Sequence, residues 1–256
     1  MCDIQNIRPI RGVKVTIWAY GDSFVAGDQD IPETNNALES TMEYNRYNVS
    51  FVSYLAKQLS VDLINRGISG CSNFVQLDKL FLDAPSIKKD DIVLFGLTTA
   101  WRDRVTMPYT CPEYLKDTRG PALIHRELVF GKHDLKKIAT IDLFYVMSVI
   151  GKLELLFNIK VIKFNLFHDA LSESSEFDKT LFKFENFIGL ETHGNTLLDV
   201  LTDNWGNTIS RISDHSKWKP PTEYKHLFTQ NSHPNIEGHK KIAVWLEAEL
   251  KKMQII

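Results

Sequence analysis

Residues 13–24 read Val13-Lys14-Val15-Thr16-Ile17-Trp18-Ala19-Tyr20-Gly21-Asp22-Ser23-Phe24, a run of mostly apolar residues followed by a turn that contains a serine. The apolar part, Val13–Ala19, lacks strict alternation and is typical of a parallel strand that is covered on both faces. Ligands of open α/β sheets bind beyond the carboxyl ends of the strands. We therefore expect Ser23 to project into a ligand-binding crevice.

Three further apolar runs repeat the strand pattern, and segments with helical spacing of apolar residues separate and follow them. The predicted strands are Val61–Asn65, Asp91–Gly96 and Ile159–Leu166. The predicted helices are Ser50–Leu59, Phe74–Ala84, about Asp134–Phe157 and about Ile236–Lys252. The third is apolar nearly all round in its middle, so we expect it to be buried. This alternation predicts an α/β fold with a parallel, doubly wound sheet. No linker or repeat divides the chain, so we expect a single domain over residues 1–256.

The composition is that of an ordinary globular protein. The chain has 256 residues, of which 43% are hydrophobic, and a formal net charge of -2. Such a charge provides no basic surface for nucleic acid or for an anionic membrane, so we expect neither as a partner. Residues 1–11 lack the apolar core of a signal peptide, and no apolar run is long enough to span a bilayer. We expect a cytoplasmic protein, and its oligomeric state stays open.

Cysteines and histidines give no sign of a metal site. The three cysteines are scattered, and the histidines show no ligand spacing such as HxxxH. We therefore expect reduced thiols and neither a metal nor an organic cofactor.

Two long segments, at about 99–132 and 203–232, fit neither strand nor helix periodicity and are rich in aromatic and turn residues. Long irregular segments in a compact domain commonly form functional walls or lids. Whether their aromatic side chains line a substrate site or only pack the loops down stays open at this point.

A candidate general base for Ser23 occurs near the C-terminus, in His233-Pro234-Asn235. Asn235 is expected to cap the last helix, which would hold the imidazole on a loop in front of a packed helix. A serine and a histidine are the minimum for acyl transfer. Asp22 is adjacent to Ser23 and points away from it on the turn, so we expect it to support the turn by accepting hydrogen bonds from backbone amides.

These blocks resemble the SGNH (GDSL-type) hydrolases, in order and spacing along the whole chain, although the identities are confined to about four short blocks. Gly21-Asp22-Ser23-Phe24 is similar to the first block, Asn65–Asn73 to the second, and His233–His239 to the fourth. The resemblance implies a three-layer α/β/α fold with a flavodoxin-like parallel sheet of about five strands. It also implies an oxyanion site formed by the backbone N–H groups of Ser23 and Gly70. The Cys-Ser-Asn end of the second block resembles a phage and marine bacterial subgroup, so a virion-associated location stays open.

The third block departs from the family pattern. Gly96-Leu97-Thr98-Thr99 has Thr98 where the family has an asparagine whose amide helps to hold the oxyanion. The loss of one such donor typically costs about 10²–10³ in turnover. Thr98 or Asn73 could supply a side-chain donor instead. Arg102 stands where the resembling subgroup carries an arginine, which makes it a candidate binding residue.

The acid that orients the histidine is also missing from its usual place. The family has it two or three residues before the histidine, where this chain has Gln230 and Asn231. Three replacements stay open: a backbone carbonyl, the amide oxygen of Asn231, and a relocated carboxylate such as Asp203 or Asp214.

The leading functional hypothesis is a serine esterase that removes an acyl group, such as acetate, from a carbohydrate or a related small molecule. Ser23 would be the nucleophile, and His233 the base and then the acid. One alternative is an O-acyltransferase that uses the same acyl-enzyme. The other is a non-catalytic carbohydrate-binding or structural module that retains the fold.

Overall fold

The structure is a computed structural model, and it describes residues 14–28, 38–98, 141–166, 186–188, 196–203 and 220–256. Arg102, Asp214, the segment 99–132 and residues 204–219 lie outside this part of the chain. The expectations stated for them stay predictions.

Five strands form a single parallel sheet. They are β1 (Thr16–Tyr20), β2 (Asp62–Asn65), β3 (Ile92–Leu97), β4 (Val161–Asn165) and β5 (Phe187–Ile188). Their order across the sheet is β2-β1-β3-β4-β5, and all four pairings are parallel. This is the flavodoxin-like order, whose topological switch point lies between β1 and β3. The predicted sheet is confirmed, and β5 is an addition because two residues are too few to show a periodicity.

Helices occur between and after the strands. They are α1 (Ser23–Ala26), α2 (Leu38–Asn48), α3 (Phe51–Leu59), α4 (Asn73–Asp83), α5 (residues 141–157), α6 (Leu197–Thr202) and α7 (Ile236–Lys252). Short 3₁₀ helices span Ala84–Ser86 and Thr222–Leu227. The predictions of α3, α4 and α7 are confirmed, and so is that of α5 within the described residues. The helices α1, α2 and α6 were not predicted.

Successive residues of β1 pack on opposite sides of the sheet, which defines three layers. Ile17 and Ala19 belong to the core that contains α3, α6 and α7. Trp18 and Tyr20 belong to the second core, with α4 and α5. Because both faces are covered, nearly the whole strand is buried, which explains why its sequence lacks a polar face. The three-layer α/β/α expectation is confirmed.

The helix α5 carries apolar residues on more of its surface than it buries, so the expectation that it is buried needs correction. The helix α5 is buried on one side through Val146 and Ile150, whereas Phe144 and Leu155 are exposed, the latter by 86%. A helix that lies on one face of a sheet has no second layer to cover its outer side. The expectation that this helix is buried is therefore wrong for its outer side.

In the part of the chain that the structure describes, no helix combines the length and the apolar character needed to cross a membrane. The same residues contain no group of three or more His, Cys, Asp or Glu side chains placed to hold a metal ion.

Candidate active site

Ser23 is the first residue of α1 and follows β1 across a turn of two residues. Gly21 makes this turn possible because a Cβ at its position would lie 2.3 Å from the Val25 side chain. The serine is buried, with 3% of its surface exposed. It lies at the carboxyl edge of the sheet beside the switch point, where ligands of this sheet order bind.

Asp22 connects the ends of β1 and β3. Its Oδ1 accepts a hydrogen bond from the backbone N–H of Phe24 at 3.0 Å, which confirms its expected role in supporting the turn. Its Oδ2 accepts a hydrogen bond from the hydroxyl of Thr98 at 2.7 Å. A fully buried carboxylate needs such donors, because burial without them is costly. The aspartate therefore holds the serine turn on the end of the neighbouring strand.

Thr98 and Asn73 form a reciprocal pair. The Asn73 amide donates to the carbonyl oxygen of Thr98 at 3.0 Å, and the Thr98 N–H donates to Asn73 Oδ1 at 2.9 Å. The Thr98 hydroxyl has a single hydrogen, which it donates to Asp22. Among the described residues the Asn73 amide makes only the bond to Thr98, and an amide group has two hydrogens to donate. Of the two predicted side-chain donors, Asn73 is the one that this geometry favours.

Gly70 lies on an exposed loop between β2 and α4. Its φ of +69 favours glycine, and a Cβ there would meet no atom within 4 Å. The loop is held against the serine turn, because Ile68 donates its N–H to Gly21 O at 3.0 Å. Within the described part of the chain, the backbone N–H groups of Ser23 and Gly70 have no acceptor. An oxyanion site requires unpaired N–H groups beside the nucleophile. The assignment of this role to Ser23 and Gly70 stays a prediction.

His233 lies on the loop that precedes α7. Thr229 holds this loop twice: its N–H donates to His233 O at 2.8 Å, and its hydroxyl accepts from the His233 N–H at 3.3 Å. The centroid of the half-buried imidazole is 5.9 Å from that of Phe24, the residue after Ser23. The fold thus brings the N-terminal serine block and the C-terminal histidine block together.

Ser23 Oγ and the His233 ring make no hydrogen bond to any residue in the described part of the chain. Catalytic hydrogen bonds are often long without substrate and tighten only in the complex.

Asn235 anchors the histidine loop to α7. Its Oδ1 accepts from the N–H groups of Glu237 and Gly238 at 3.0 and 3.1 Å, which confirms the predicted cap. Its amide donates to His226 O at 2.8 Å. One side chain therefore fixes both the start of the helix and the loop in front of it.

The candidates for the orienting acid are dispersed. Gln230 and Asn231 are exposed in the turn before His233. Asp203 pairs with Lys241 Nζ at 2.8 Å. Sequence reasoning did not single out Asp28, whose backbone N–H donates to Ser23 O at 3.0 Å. Burial raises the pKa of its carboxyl group, and the charge of His233 opposes this. Asp28 follows Ser23 by five residues, and only its position after Gly27 at the end of the serine turn could have drawn attention to it.

Comparison with solved structures finds the same fold in other proteins. A lipolytic protein of the G-D-S-L family from Desulfitobacterium hafniense has a TM-score of 0.50 at 13% identity, over 91% of this chain and 98% of that one. An acetyl xylan esterase from Butyrivibrio proteoclasticus has a TM-score of 0.48 at 12% identity, over 97% of this chain and 66% of that one. For a GDSL-like lipase from Parabacteroides merdae the TM-score is 0.46 at 16% identity, over 92% and 95%.

No family model and no curated protein sequence matches the chain. At such identities structural similarity shows the fold alone. The chain has the α/β fold of the G-D-S-L lipolytic protein from Desulfitobacterium.

Proposed function

We propose that this chain is a serine esterase of the SGNH (GDSL-type) family that cleaves a carboxylic ester through an acyl-enzyme on Ser23. The observation that carries the proposal is that the turn of Ser23 contacts two other blocks at the carboxyl edge of the sheet: the loop of Gly70 bonds to Gly21 O, and the His233 ring lies beside Phe24. These blocks come from distant parts of the chain, and ligands of this sheet order bind at this edge.

In the proposed reaction, Ser23 Oγ attacks the ester carbonyl carbon while His233 accepts the hydroxyl proton. The carbonyl oxygen becomes an oxyanion and receives hydrogen bonds from the N–H groups of Ser23 and Gly70, with Asn73 as a third donor. His233 then gives the proton to the departing alkoxide, so an alcohol leaves and an acyl-serine remains. Water, deprotonated by His233, attacks this acyl-serine and releases the carboxylic acid and the free serine.

We propose a small acyl group, such as the acetate of an acetylated carbohydrate, as the substrate class. This choice rests only on the family resemblance. The family it resembles includes esterases of acetylated sugars, but it also includes enzymes that act on other substrates, and the fold does not choose among them. Hydrolysis of acetylated sugars can be compared with hydrolysis of long-chain esters to test it. A clear preference for long chains would contradict this part of the proposal.

The test of the serine mechanism is labelling with a fluorophosphonate probe, together with hydrolysis of p-nitrophenyl acetate. Ser23→Ala should abolish labelling, and His233→Ala should reduce it strongly, because the first removes the nucleophile and the second its base. Hydrolysis should fall by roughly 10⁴-fold or more in each variant. The exposed residues Ser86 and His226 provide matched controls, and Ser86→Ala and His226→Ala should keep the activity.

One observation favours a non-catalytic binding module as the second candidate: Gln230 and Asn231 occupy the usual place of the orienting acid, and both are exposed in the turn before His233. A correctly folded wild-type protein that neither reacts with the probe nor hydrolyses esters would support this alternative and overturn the esterase proposal.

A further inference from the structure

Asn65 is the last residue of β2, and the loop that carries Gly70 begins directly after it. It pairs with Ala19, near the end of β1, in the parallel register of the two strands. Only 4% of its surface is exposed. Burial of an amide is costly unless its donor and acceptor groups are satisfied. The partners of this side chain therefore indicate which parts of the fold it holds together.

The amide nitrogen of Asn65 bonds to helices. Nδ2 donates to Val25 O of α1 at 2.8 Å and to Arg46 O of α2 at 3.2 Å. The hydroxyl oxygen of Ser50, the N-cap of α3, is a third acceptor at 3.3 Å. The last carbonyl groups of a helix have no partner within the helix, so a donor from outside can satisfy them. Because α1 begins at Ser23, the bond to Val25 O fixes the end of β2 to the helix of the proposed nucleophile.

The amide oxygen of Asn65 bonds to the loop. Oδ1 accepts the N–H of Gly67, two residues further on, at 2.9 Å, which is the bond of an Asx turn. At this point the loop lies directly against α1, since a Cβ on Gly67 would be 2.5 Å from Ala26 N. The N–H of the next residue, Ile68, bonds to Gly21 O in the serine turn. The two ends of one side chain thus hold α1 and the loop against each other.

We propose that Asn65 is a positioning residue that fixes the separation of the two predicted oxyanion donors, the N–H groups of Ser23 and Gly70. The inference rests on the proposed esterase function. Ser23 belongs to α1 and Gly70 to the loop, so each donor is part of one of the two units that Asn65 joins. An oxyanion site acts only while its donors remain within hydrogen-bonding distance of the same oxygen.

The test is Asn65→Ala with p-nitrophenyl acetate as the substrate. We expect kcat to fall by about 10–10²-fold, because a misplacement of about 1 Å in an active site can cost 10²-fold. KM should change little, because oxyanion contacts strengthen in the transition state rather than in the bound substrate. Inactivation by the fluorophosphonate probe should slow by a similar factor. An Asn65→Ala variant that folds and keeps the wild-type kcat would overturn the inference.

Asn65→Ser separates positioning from packing. Serine and alanine leave cavities of similar size, but a serine hydroxyl can accept the Gly67 N–H in the equivalent turn. Asn65→Ser should therefore recover part of the kcat that Asn65→Ala loses. Equal kcat values in the two variants would contradict a role that acts through the Gly67 N–H.

Leu250→Ala is the matched control for lost stability. Leu250 is fully buried near the end of α7, about 20 Å along the helix from its first residue. Its truncation leaves a cavity in the core and should lower the urea midpoint of unfolding at least as much as Asn65→Ala does. Its kcat should stay at the wild-type value. A fall in kcat as large as that of Asn65→Ala would show that lost stability alone explains the effect.

Gly67→Ala changes the same separation from the loop side, and it decides the question if Asn65→Ala does not fold. Its Cβ would press on Ala26 N and push the loop away from α1, so kcat should fall while KM changes little. A folded Gly67→Ala variant with the wild-type kcat would contradict the inference.

Failure of the inference can be distinguished from failure of the esterase proposal. Wild-type labelling by the fluorophosphonate probe tests the esterase proposal alone. If labelling is absent, amide hydrogen exchange still reports on Asn65: the Ile68 N–H should exchange at least about tenfold faster in Asn65→Ala than in Leu250→Ala. Equal exchange rates in these two variants would contradict the positioning role.

Discussion

His239 is fully buried in α7, and its ring forms a hydrogen bond that requires the neutral form. Its Nδ1 accepts the backbone N–H of Phe51, the first residue of α3, at 3.2 Å. The proton of the ring therefore lies on Nε2, which has no partner among the described residues. Burial, with a smaller contribution from the charge of His233, lowers the pKa of His239 to about 3. If Nδ1 were protonated it could no longer accept this bond, and its N–H would face the N–H of Phe51 at the start of α3.

This histidine makes the stability of the fold depend on pH. The pKa of His239 is about 3 in the folded chain, against an ordinary value of 6.5, so the unfolded chain binds an extra proton between these values. The contribution to stability is complete above pH 6.5 and is lost as the pH falls toward 3, by at most about 1.4 kcal/mol per pH unit. Urea unfolding of the wild type between pH 4 and 8 should show this loss.

His239→Asn removes the titrating ring and can keep an acceptor for the Phe51 N–H. The variant should be less stable at neutral pH because it fills less space, and its free energy of unfolding should depend less on pH below 6.5. The exposed His226 is the control, since His226→Asn should preserve the wild-type slope. An unaltered slope in His239→Asn would contradict the assignment.

At the scale of elements, α7 is packed so closely on the 3₁₀ helix before it that a glycine is required inside the helix. A Cβ on Gly238 would lie 2.3 Å from Leu227 O, a backbone atom that also accepts the N–H of Asn235. Helix propensity favours alanine over glycine by about 1 kcal/mol. The overlap with backbone should outweigh this gain, since overpacking typically costs about 1–3 kcal/mol.

Gly238→Ala should therefore lower the free energy of unfolding, measured by chemical denaturation. Gly151 of α5 provides a matched control because a Cβ there meets no atom within 4 Å. Gly151→Ala should stabilise the protein by about 0.5–1 kcal/mol. A stabilised Gly238→Ala variant would show that α7 can move away from the 3₁₀ helix.

The elements differ in how far the sequence alone could predict them. The strands β1 and β3 could be predicted because covered parallel strands need consecutive apolar residues. The helix α2 could not, because its sequence LESTMEYNRYN has no clear apolar stripe. Likewise α6 and β5 are too short for a periodicity, and they are held by their neighbours in the fold. The same limit applies to α5, whose exposed Phe144 and Leu155 cannot be told from buried residues by hydrophobicity.

At the scale of the whole molecule, the candidate site is predictable where the topology alone creates it. Parallel strands end at one edge, so Ser23, the loop of Gly70 and the end of β3 had to lie near each other. The resemblance to the SGNH hydrolases in turn predicted that His233 lies at the same edge. The bond from the Asp28 N–H to Ser23 O depends on the turn at Gly27, and no rule of strand order contains that information.

Three connections at this edge are linked by the bonds among Asp22, Thr98 and Asn73. Thr98→Val removes only the hydroxyl and leaves the buried Asp22 carboxylate with one donor fewer. It should cost about 1.5–3 kcal/mol, as expected for a hydrogen bond to a charged group. Thr202 is a suitable control, because its buried hydroxyl donates to Leu198 O, a neutral acceptor, at 2.8 Å.

Thr202→Val should accordingly cost less, about 0.5–1.5 kcal/mol. Both variants can be compared by urea denaturation at neutral pH. Equal losses would indicate that the bond between Thr98 and Asp22 contributes no more than an ordinary neutral hydrogen bond.

The hydrogen bonds among Asp22, Thr98 and Asn73 also limit which substitutions this chain can accept during evolution. Replacing Asp22, Thr98 or Asn73 alone leaves a buried polar group of another of these residues without its partner. Accepted changes at Asp22 and Thr98, which bond through their side chains, should therefore come in compensating pairs, and these two positions should covary among homologous chains. Asn73 bonds to the main chain of residue 98, so its replacement should be independent of the side chain at that position.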